Sequence, residues 1–125
     1  MLSLSFLGAA QTVTGSKYLL LTEASALLVD AGLFQGIKAL RERNWNDAGV
    51  NASTLGALLL THAHIDHSGY LPRLVKAGFR GRVWCTQGTA DLLKILLPDA
   101  GFLQEEEARH ANKFGYARHH PALPL

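Results

Sequence analysis

The 125-residue sequence has one cysteine, no long apolar run and little net charge. Cys85 has no partner for a disulfide within the chain, and its apolar neighbours predict a buried core residue in a reducing compartment. No segment reaches the roughly 18 consecutive apolar residues of a membrane span, and the N-terminus lacks the basic start and cleavage site of a signal peptide. These absences predict a cytoplasmic protein that does not bind a membrane.

The net charge of +2 is too small to identify a nucleic-acid-binding protein by itself. The basic residues are nevertheless grouped in two stretches: Lys38, Arg41 and Arg43, and then Arg73, Lys76, Arg80 and Arg82. Such groups can contact phosphates around an active site and give a salt-sensitive affinity that does not depend on base sequence. Ordinary solvated surface explains the same pattern, and both interpretations stay open.

Hydrophobic periodicity predicts an α/β (α+β) fold with one core. Alternating or apolar runs predict strands over residues 2–6, 18–22, 26–29, 57–60 and 82–85. Turn residues between the first three strands favour an opening antiparallel meander. Helices are expected over residues 37–43 and 69–77, and residues 44–49 are expected to form a loop.

The C-terminal third of the sequence has a helical pattern. Thr86 can cap a helix whose leucines at 92, 93, 96 and 97 form one apolar stripe directed at the core. Pro98 and Asp99 are expected to interrupt this helix before a second one begins. In that second helix, Glu105 and Arg109 are spaced to pair at i and i+4.

Three histidines and one carboxylate lie within six residues, directly after the strand predicted at 57–60: His62, His64, Asp66 and His67. Neutral imidazole and carboxylate groups are the ligands that zinc accepts, and iron or manganese accept them as well. The spacing is too dense for one tetrahedral ion to take all four donors from one rigid element. The motif therefore predicts two adjacent metal ions, with zinc preferred.

The spacing also divides the four donors between the two ions. Residues two apart in extended chain point the same way, so His62 and His64 can bind one ion while Ala63 points away. Asp66 and His67 lie where the chain turns into the next helix and can reach the second ion. Two ions roughly 3.5–4 Å apart can share a water and lower its pKa towards about 7, which favours metal-assisted hydrolysis.

A less specific interpretation is a polar turn in which Asp66 and Ser68 cap a helix. That interpretation leaves three closely spaced histidines without a packing or capping purpose, so metal binding explains the motif better.

The motif and two further segments resemble a known family. Residues 61–69, THAHIDHSG, resemble the metal-binding signature of the metallo-β-lactamase superfamily. The opening FLGAA with VTGS, at residues 6–10 and 13–16, and LVDAGLFQG at residues 28–36 resemble the β-CASP RNA-processing nucleases within it. This group includes RNase J and the endonuclease of the cleavage and polyadenylation specificity factor. The resemblance covers nearly the whole chain.

The resemblance implies a role for each matching residue. Asp30 would orient the site by a hydrogen bond to a ligand, rather than bind the metal itself. His62 and His64 would bind the first zinc, and Asp66 and His67 the second. On this basis Asp66 and Asp30 are the expected catalytic carboxylates. Without the family, Asp30 is only a carboxylate that ends a strand before a glycine turn.

The resemblance also implies that residues 1–125 form the N-terminal portion of a metallo-β-lactamase domain, half of an αββα sandwich. The third metal-binding histidine, the bridging aspartate and the β-CASP domain would lie outside this chain. His119 and His120 are candidate replacement ligands, although a basic surface loop fits them better. A half sandwich should expose apolar sheet surface, so a homodimer is one expected outcome.

The leading hypothesis is a zinc-dependent hydrolase of phosphodiester bonds in RNA, incomplete as this chain alone. One alternative is a hydrolase of a small thioester or lactone, which needs the same metals and no phosphate-binding surface. A second alternative is a non-catalytic fragment or binding module, because the chain supplies two ligands per ion where a catalytic zinc usually has three.

Overall fold

A five-stranded sheet organises the computed structural model, which describes residues 1–116 and 123–125. The strands lie in the order in which they occur in the sequence. Their bounds are Ser3–Gly8 for β1, Lys17–Leu21 for β2, Ala26–Val29 for β3, Ala57–Leu59 for β4 and Arg82–Trp84 for β5. β1, β2 and β3 pair antiparallel, which confirms the predicted meander. β4 and β5 then add parallel strands, and the α/β (α+β) class is confirmed.

Among the described residues, four α-helices connect or follow the later strands. They are α1 at Lys38–Arg41, α2 at Ile65–Ser68, α3 at Leu71–Lys76 and α4 at Gln87–Phe114. A 3₁₀ turn at Glu42–Trp45 continues α1, so the loop predicted to start at residue 44 starts slightly later. Asn44 in this turn is buried, and its side-chain amide is satisfied there by hydrogen bonds to the backbone N–H and the carbonyl of Phe34.

The predicted break at Pro98 and Asp99 is wrong, because α4 runs without interruption through both residues. Thr86 caps its start as expected: its hydroxyl oxygen accepts a hydrogen bond of 3.2 Å from the Thr89 backbone. Buried residues occur on both sides of the proline, Leu93 before it and Ala108 after it. We attribute the continuity to this packing, which offsets the hydrogen bond that a proline cannot donate.

Two details of α4 also differ from the prediction. Leu92 is exposed, whereas Leu93 is buried and the leucines at 96 and 97 pack against the core. Adjacent helical residues point about 100° apart, and Leu92 lies on the side of the stripe that is turned towards solvent. Arg109 pairs with Glu106 at i and i+3, and not with Glu105.

The core lies on one face of the sheet. Leu19, Leu28 and Leu58 are aligned across β2, β3 and β4 by the strand register, and the last two are fully buried. Side chains from the region of α3 and from α4 pack in the same cluster, among them Tyr70, Leu71, Leu74, Phe79 and Leu93. The helices therefore cover this face and leave the ends of β3 and β4 free to carry polar residues.

The opposite face of the sheet is apolar and exposed. Leu4, Phe6, Leu59 and Trp84 are 49 %, 62 %, 40 % and 56 % exposed, respectively. The register places Phe6 beside Tyr18, and the two rings meet edge to face with centroids 5.7 Å apart. It also places Leu59 beside Trp84. The uncovered sheet surface expected for a half sandwich is therefore present.

The prediction of a buried cysteine is wrong, because Cys85 is exposed. It directly follows β5, an edge strand whose three residues are all exposed. An apolar run predicted a core strand, but in the described part of the chain β5 has a neighbouring strand on one side only. Within the described residues, no helix is both long enough and apolar enough to cross a membrane. His119 and His120 lie outside the described residues.

Candidate metal centre

The histidine motif lies at the edge of the sheet where β3 and β4 end. These strands are parallel, so the residues that follow them meet at the same edge. Asp30 follows β3, and its backbone N–H donates a hydrogen bond of 2.8 Å to the carbonyl of Leu59, the last residue of β4. The motif begins shortly after this strand, and its second half forms the single turn of α2.

Main-chain hydrogen bonds fix the motif against the segment after β3. Ala31 N–H bonds the carbonyl of His67 at 2.8 Å, and Leu33 N–H bonds that of Ile65 at 3.1 Å. The contact is so close that a Cβ on Gly32 would lie 1.6 Å from the carbonyl oxygen of Asp66. Only glycine fits there.

The three imidazole rings of the motif pack together. The His62 ring centroid lies 4.8 Å from that of His64 and 4.0 Å from that of His67. Ala63 is buried between the first two, so the alternation expected for extended chain is present. Asp66 adds its carboxylate, with Oδ2 at 3.4 Å from Nε2 of His67. The structure thus brings together all four predicted donors.

Asp30 lies beneath this cluster and is 2 % exposed. Its Oδ2 accepts a hydrogen bond of 2.7 Å from Nδ1 of His67 and one of 3.2 Å from the Ser16 hydroxyl. Its Oδ1 accepts a bond of 2.8 Å from the backbone N–H of Thr61. A carboxylate on Nδ1 holds an imidazole in one orientation and one tautomer, with Nε2 left available. The geometry suits an orienting role for Asp30.

The backbone of Asp30 is left-handed, with φ of 60°. This region is uncommon for residues other than glycine, although aspartate and asparagine occupy it more readily than most. The hydrogen bonds to its carboxylate are the interactions that can stabilise this conformation.

Sequence reasoning gave Thr61 no supporting role and named Ser68 only as a helix cap, whereas no side chain caps α2. The Thr61 hydroxyl contacts both oxygens of the Asp30 carboxylate and lies 2.9 Å from Nδ1 of His62. The Ser68 hydroxyl is fully buried and donates to the carbonyls of Ala63 and His64. These bonds join the end of α2 to the residues that precede the helix. Both lie within or beside the motif, but their partners depend on the turn geometry, which spacing alone does not give.

The chemistry of the donors fits a borderline metal such as zinc, because three imidazoles and a carboxylate share one edge of the sheet. Nδ1 is engaged in both His62 and His67, so Nε2 is the nitrogen left for a metal. However, residues 1–116 and 123–125 contain no group of three or more His, Cys, Asp or Glu side chains arranged to hold an ion. This part of the chain has the right donors and lacks a complete ligand set.

A mixed sheet with a His-x-His-x-Asp-His loop at the strand ends defines a metallohydrolase-type domain. Residues 12–117 match the family described as the metallo-beta-lactamase superfamily, and the chain belongs to that family. A metallo-β-lactamase of Cronobacter sakazakii superposes with a TM-score of 0.51 at 28 % identity, over 70 % of this chain and 30 % of that one. The family resemblance found in the sequence motifs is confirmed.

Several relatives are more similar in sequence. Ribonuclease TTHA0252 of Thermus thermophilus is 44 % identical over 99 residues, which cover 79 % of this chain and 22 % of the relative. Transcription termination factor FttA of Cenarchaeum symbiosum is 38 % identical over 79 % of this chain and 16 % of its own length. Endoribonuclease YSH1 of Kluyveromyces lactis is 33 % identical over 74 % of this chain and 12 % of its own length. The chain thus spans about a fifth or less of these relatives.

Proposed function

We propose that this chain forms part of a zinc-dependent hydrolase that cleaves phosphodiester bonds in RNA. The observation that carries the proposal is the convergence of His62, His64, Asp66 and His67 at one sheet edge, with Asp30 bonded to His67. Two relatives named ribonuclease and endoribonuclease support RNA as the substrate. These names favour RNA over a small thioester or lactone.

In this proposal His62 and His64 would hold one zinc, and Asp66 and His67 would hold the other. A two-zinc centre would supply Lewis-acid chemistry and lower the pKa of water towards neutrality. The protein's own contribution is orientation. Asp30 keeps the proton of His67 on Nδ1, and the Thr61 hydroxyl at 2.9 Å aligns the ring of His62.

The protein to test is a longer chain that contains this sequence and has about the length of the relatives. We expect it to cleave RNA, to lose cleavage with a chelator and to regain it with zinc. His64→Ala should abolish cleavage, because it removes one of the two donors to one ion. His110→Ala is the matched control, since His110 is an exposed histidine on α4 that bonds Tyr116. Full cleavage by His64→Ala would contradict the proposal.

A second candidate function is a binding module that holds RNA without cleaving it. The missing third ligand among residues 1–116 and 123–125 favours this candidate for the chain alone. Elemental analysis of the purified 125-residue protein separates the two. About two zinc ions per chain would favour the hydrolase, because the missing ligands would then be supplied from elsewhere. RNA binding with little metal and no turnover would favour the binding module.

A further inference from the structure

A cavity of about 170 Å³ opens beside the metal centre, between the start of β2 and the segment after α1. None of the four motif donors lines it. Its lining includes Lys17, Phe34, Arg43, Asp47 and Tyr70. One liquid water occupies about 30 Å³, so the cavity has room for a small solvated ion.

Lys17 is an unusual residue to find at the base of this cavity, because it is 2 % exposed. Its Nζ lies 4.5 Å from the ring centroid of Phe34 and 4.7 Å from that of Tyr70. Its hydrogen bond to the carbonyl of Gly15 is long, at 3.5 Å. Among the described residues, no carboxylate forms an ion pair with it. A buried ammonium has three donors and normally requires a charged partner.

A second cation faces the same ring. The Arg43 guanidinium carbon lies 4.2 Å from the Phe34 centroid, and Arg43 is exposed at the open side of the cavity. Burial, and then the charge of Arg43, lower the pKa of Lys17 from 10.5 to about 8. Asp47 is the carboxylate on the lining, and its Oδ1 already accepts a bond of 2.8 Å from Gly49 N–H. The cavity wall therefore has two cations against one carboxylate.

The geometry points to an oxyanion-binding site of the phosphate class in this cavity, formed by Lys17 at the base and Arg43 at the opening. An oxyanion there would receive charge-assisted hydrogen bonds from both cations and supply the negative charge that Lys17 lacks. Carboxylates are disfavoured relative to phosphate because phosphate offers more oxygens to two donors that approach from different sides.

The cavity is connected to the metal centre by adjacent residues. Ser16, which precedes Lys17, bonds the Asp30 carboxylate, and the Tyr70 backbone N–H bonds the carbonyl of Ala31 at 2.8 Å. A phosphodiester of a bound RNA strand is therefore one source of the oxyanion, and that assignment rests on the proposed function. Free phosphate is the other source. The chemistry of the site is the same for both.

The first experiment titrates inorganic phosphate into the metal-free 125-residue protein and follows backbone amide shifts by NMR. We expect saturable binding in the millimolar range, with the largest shifts around residues 17, 43 and 70. Lys17→Met keeps the side-chain length without the charge, and Arg43→Gln removes an exposed charge without disturbing the core. Each should weaken binding by about tenfold.

Arg41→Gln is the matched control, because Arg41 is an exposed arginine of α1 that does not line the cavity. It should bind phosphate within about twofold of the wild type, since general surface charge is then nearly unchanged. Absence of saturable binding in the wild type would overturn the inference. An equal loss in Arg41→Gln and Arg43→Gln would overturn it as well.

A second measurement separates the two sources of the oxyanion. Binding of a single-stranded RNA by the metal-free protein is measured over a range of salt concentrations. If an RNA phosphate occupies the cavity, Arg43→Gln should lower the salt slope by about 0.7 and weaken all sequences alike. An unchanged slope with lost phosphate binding assigns the site to free phosphate. Neither measurement needs zinc or cleavage, so failure of the proposed hydrolase would leave this site standing.

Discussion

Asp30 and His67 lie 37 positions apart in sequence and are joined by a hydrogen bond of 2.7 Å. A carboxylate oxygen accepts in this bond, so Nδ1 is the donor, and in the neutral imidazole Nε2 then carries the free lone pair. Nε2 is the nitrogen that faces Asp66. The hydrogen bond therefore selects the tautomer in which His67 can act as a metal ligand beside Asp66.

Replacement of Asp30 should destabilise the fold more when more of its hydrogen-bond acceptors are removed. Asp30→Ala removes the acceptors of Thr61 and places alanine at a left-handed φ, so we expect the free energy of unfolding to fall by about 3 kcal/mol or more. Asp30→Asn keeps one oxygen and tolerates the backbone, and should cost about 1–2 kcal/mol. Urea unfolding measures both. Equal losses would show that the carboxylate oxygens do not maintain the backbone of this segment.

Gly32→Ala should disrupt the motif, because its Cβ would meet the Asp66 carbonyl oxygen at 1.6 Å. We expect a loss of about 2–4 kcal/mol in unfolding free energy, since the backbone must separate to make room. Gly88→Ala is the control. Gly88 lies in α4, where an added Cβ would meet no atom within 4 Å, and the variant should gain up to about 1 kcal/mol. Comparable stability of the two variants would argue against the close approach.

Lys17 should make stability depend on alkaline pH. Its pKa is lowered by burial, with a smaller contribution from Arg43, from 10.5 to about 8. The unfolded chain therefore binds the proton more tightly between these values, and the free energy of unfolding should rise with pH through that window. Burying the charged Lys17 ammonium lowers the free energy of unfolding by roughly 3 kcal/mol. This destabilisation is fully present below pH 8 and is lost as the pH rises to the unfolded-state pKa.

Chemical denaturation between pH 7 and 9.5 tests this dependence. Lys17→Met should be more stable than the wild type at pH 7, with the difference shrinking as the pH rises. Burial raises the pKa of Tyr70, although Arg73 opposes the shift, and this effect is common to both proteins. Lys76→Met replaces an exposed lysine and should keep the wild-type profile. A constant difference between Lys17→Met and the wild type would contradict the assignment.

Pro98→Ala should stabilise the protein. Pro98 lies inside α4, where it donates no hydrogen bond, and its side chain is exposed, so no core contact is lost. We expect the unfolding free energy to rise by about 1–3 kcal/mol. Thermal unfolding and helix content by circular dichroism measure the change. A decrease would show that the proline makes a contact that outweighs its cost in the helix.

We propose that a second copy of the chain covers the exposed apolar face of the sheet. Sedimentation of the wild-type chain should then show a dimer, because two apolar sheet faces pack well against each other. The double variant Phe6→Ser with Trp84→Ser should shift the protein to monomer. Ile95→Ser removes an apolar residue that is 70 % exposed on α4, outside this face, and should remain dimeric. A monomeric wild type would exclude self-association through this surface.

The sequence predicted features that depend on local pattern. The bounds of β3, Ala26–Val29, are those expected, because an apolar run between turn residues is a local signal. The four motif donors are together because extended chain and one helical turn have fixed geometry. Asp30 was recognised through the family resemblance, since a carboxylate at the end of a strand has no distinctive signal of its own.

Features that depend on distant contacts were not predicted. Cys85 follows an apolar strand, but burial depends on whether the sheet continues beyond β5, which local pattern does not show. Pro98 is tolerated because residues on both sides of it are buried. Lys17 opens a strand like any polar residue, and its burial follows from the placement of Phe34 and Tyr70, which come from other segments.

The backbone bonds between the motif and the segments packed against it also matter for how such a site can change over time. The carbonyls of Ile65, Asp66 and His67 each accept a hydrogen bond from an N–H of another segment, and none of these bonds uses a side chain of the motif. The loop can therefore keep its shape when His62, His64 or Asp66 is exchanged for another residue. Under the proposed function, a substitution at these three positions would change metal binding while the backbone of the loop stays as it is.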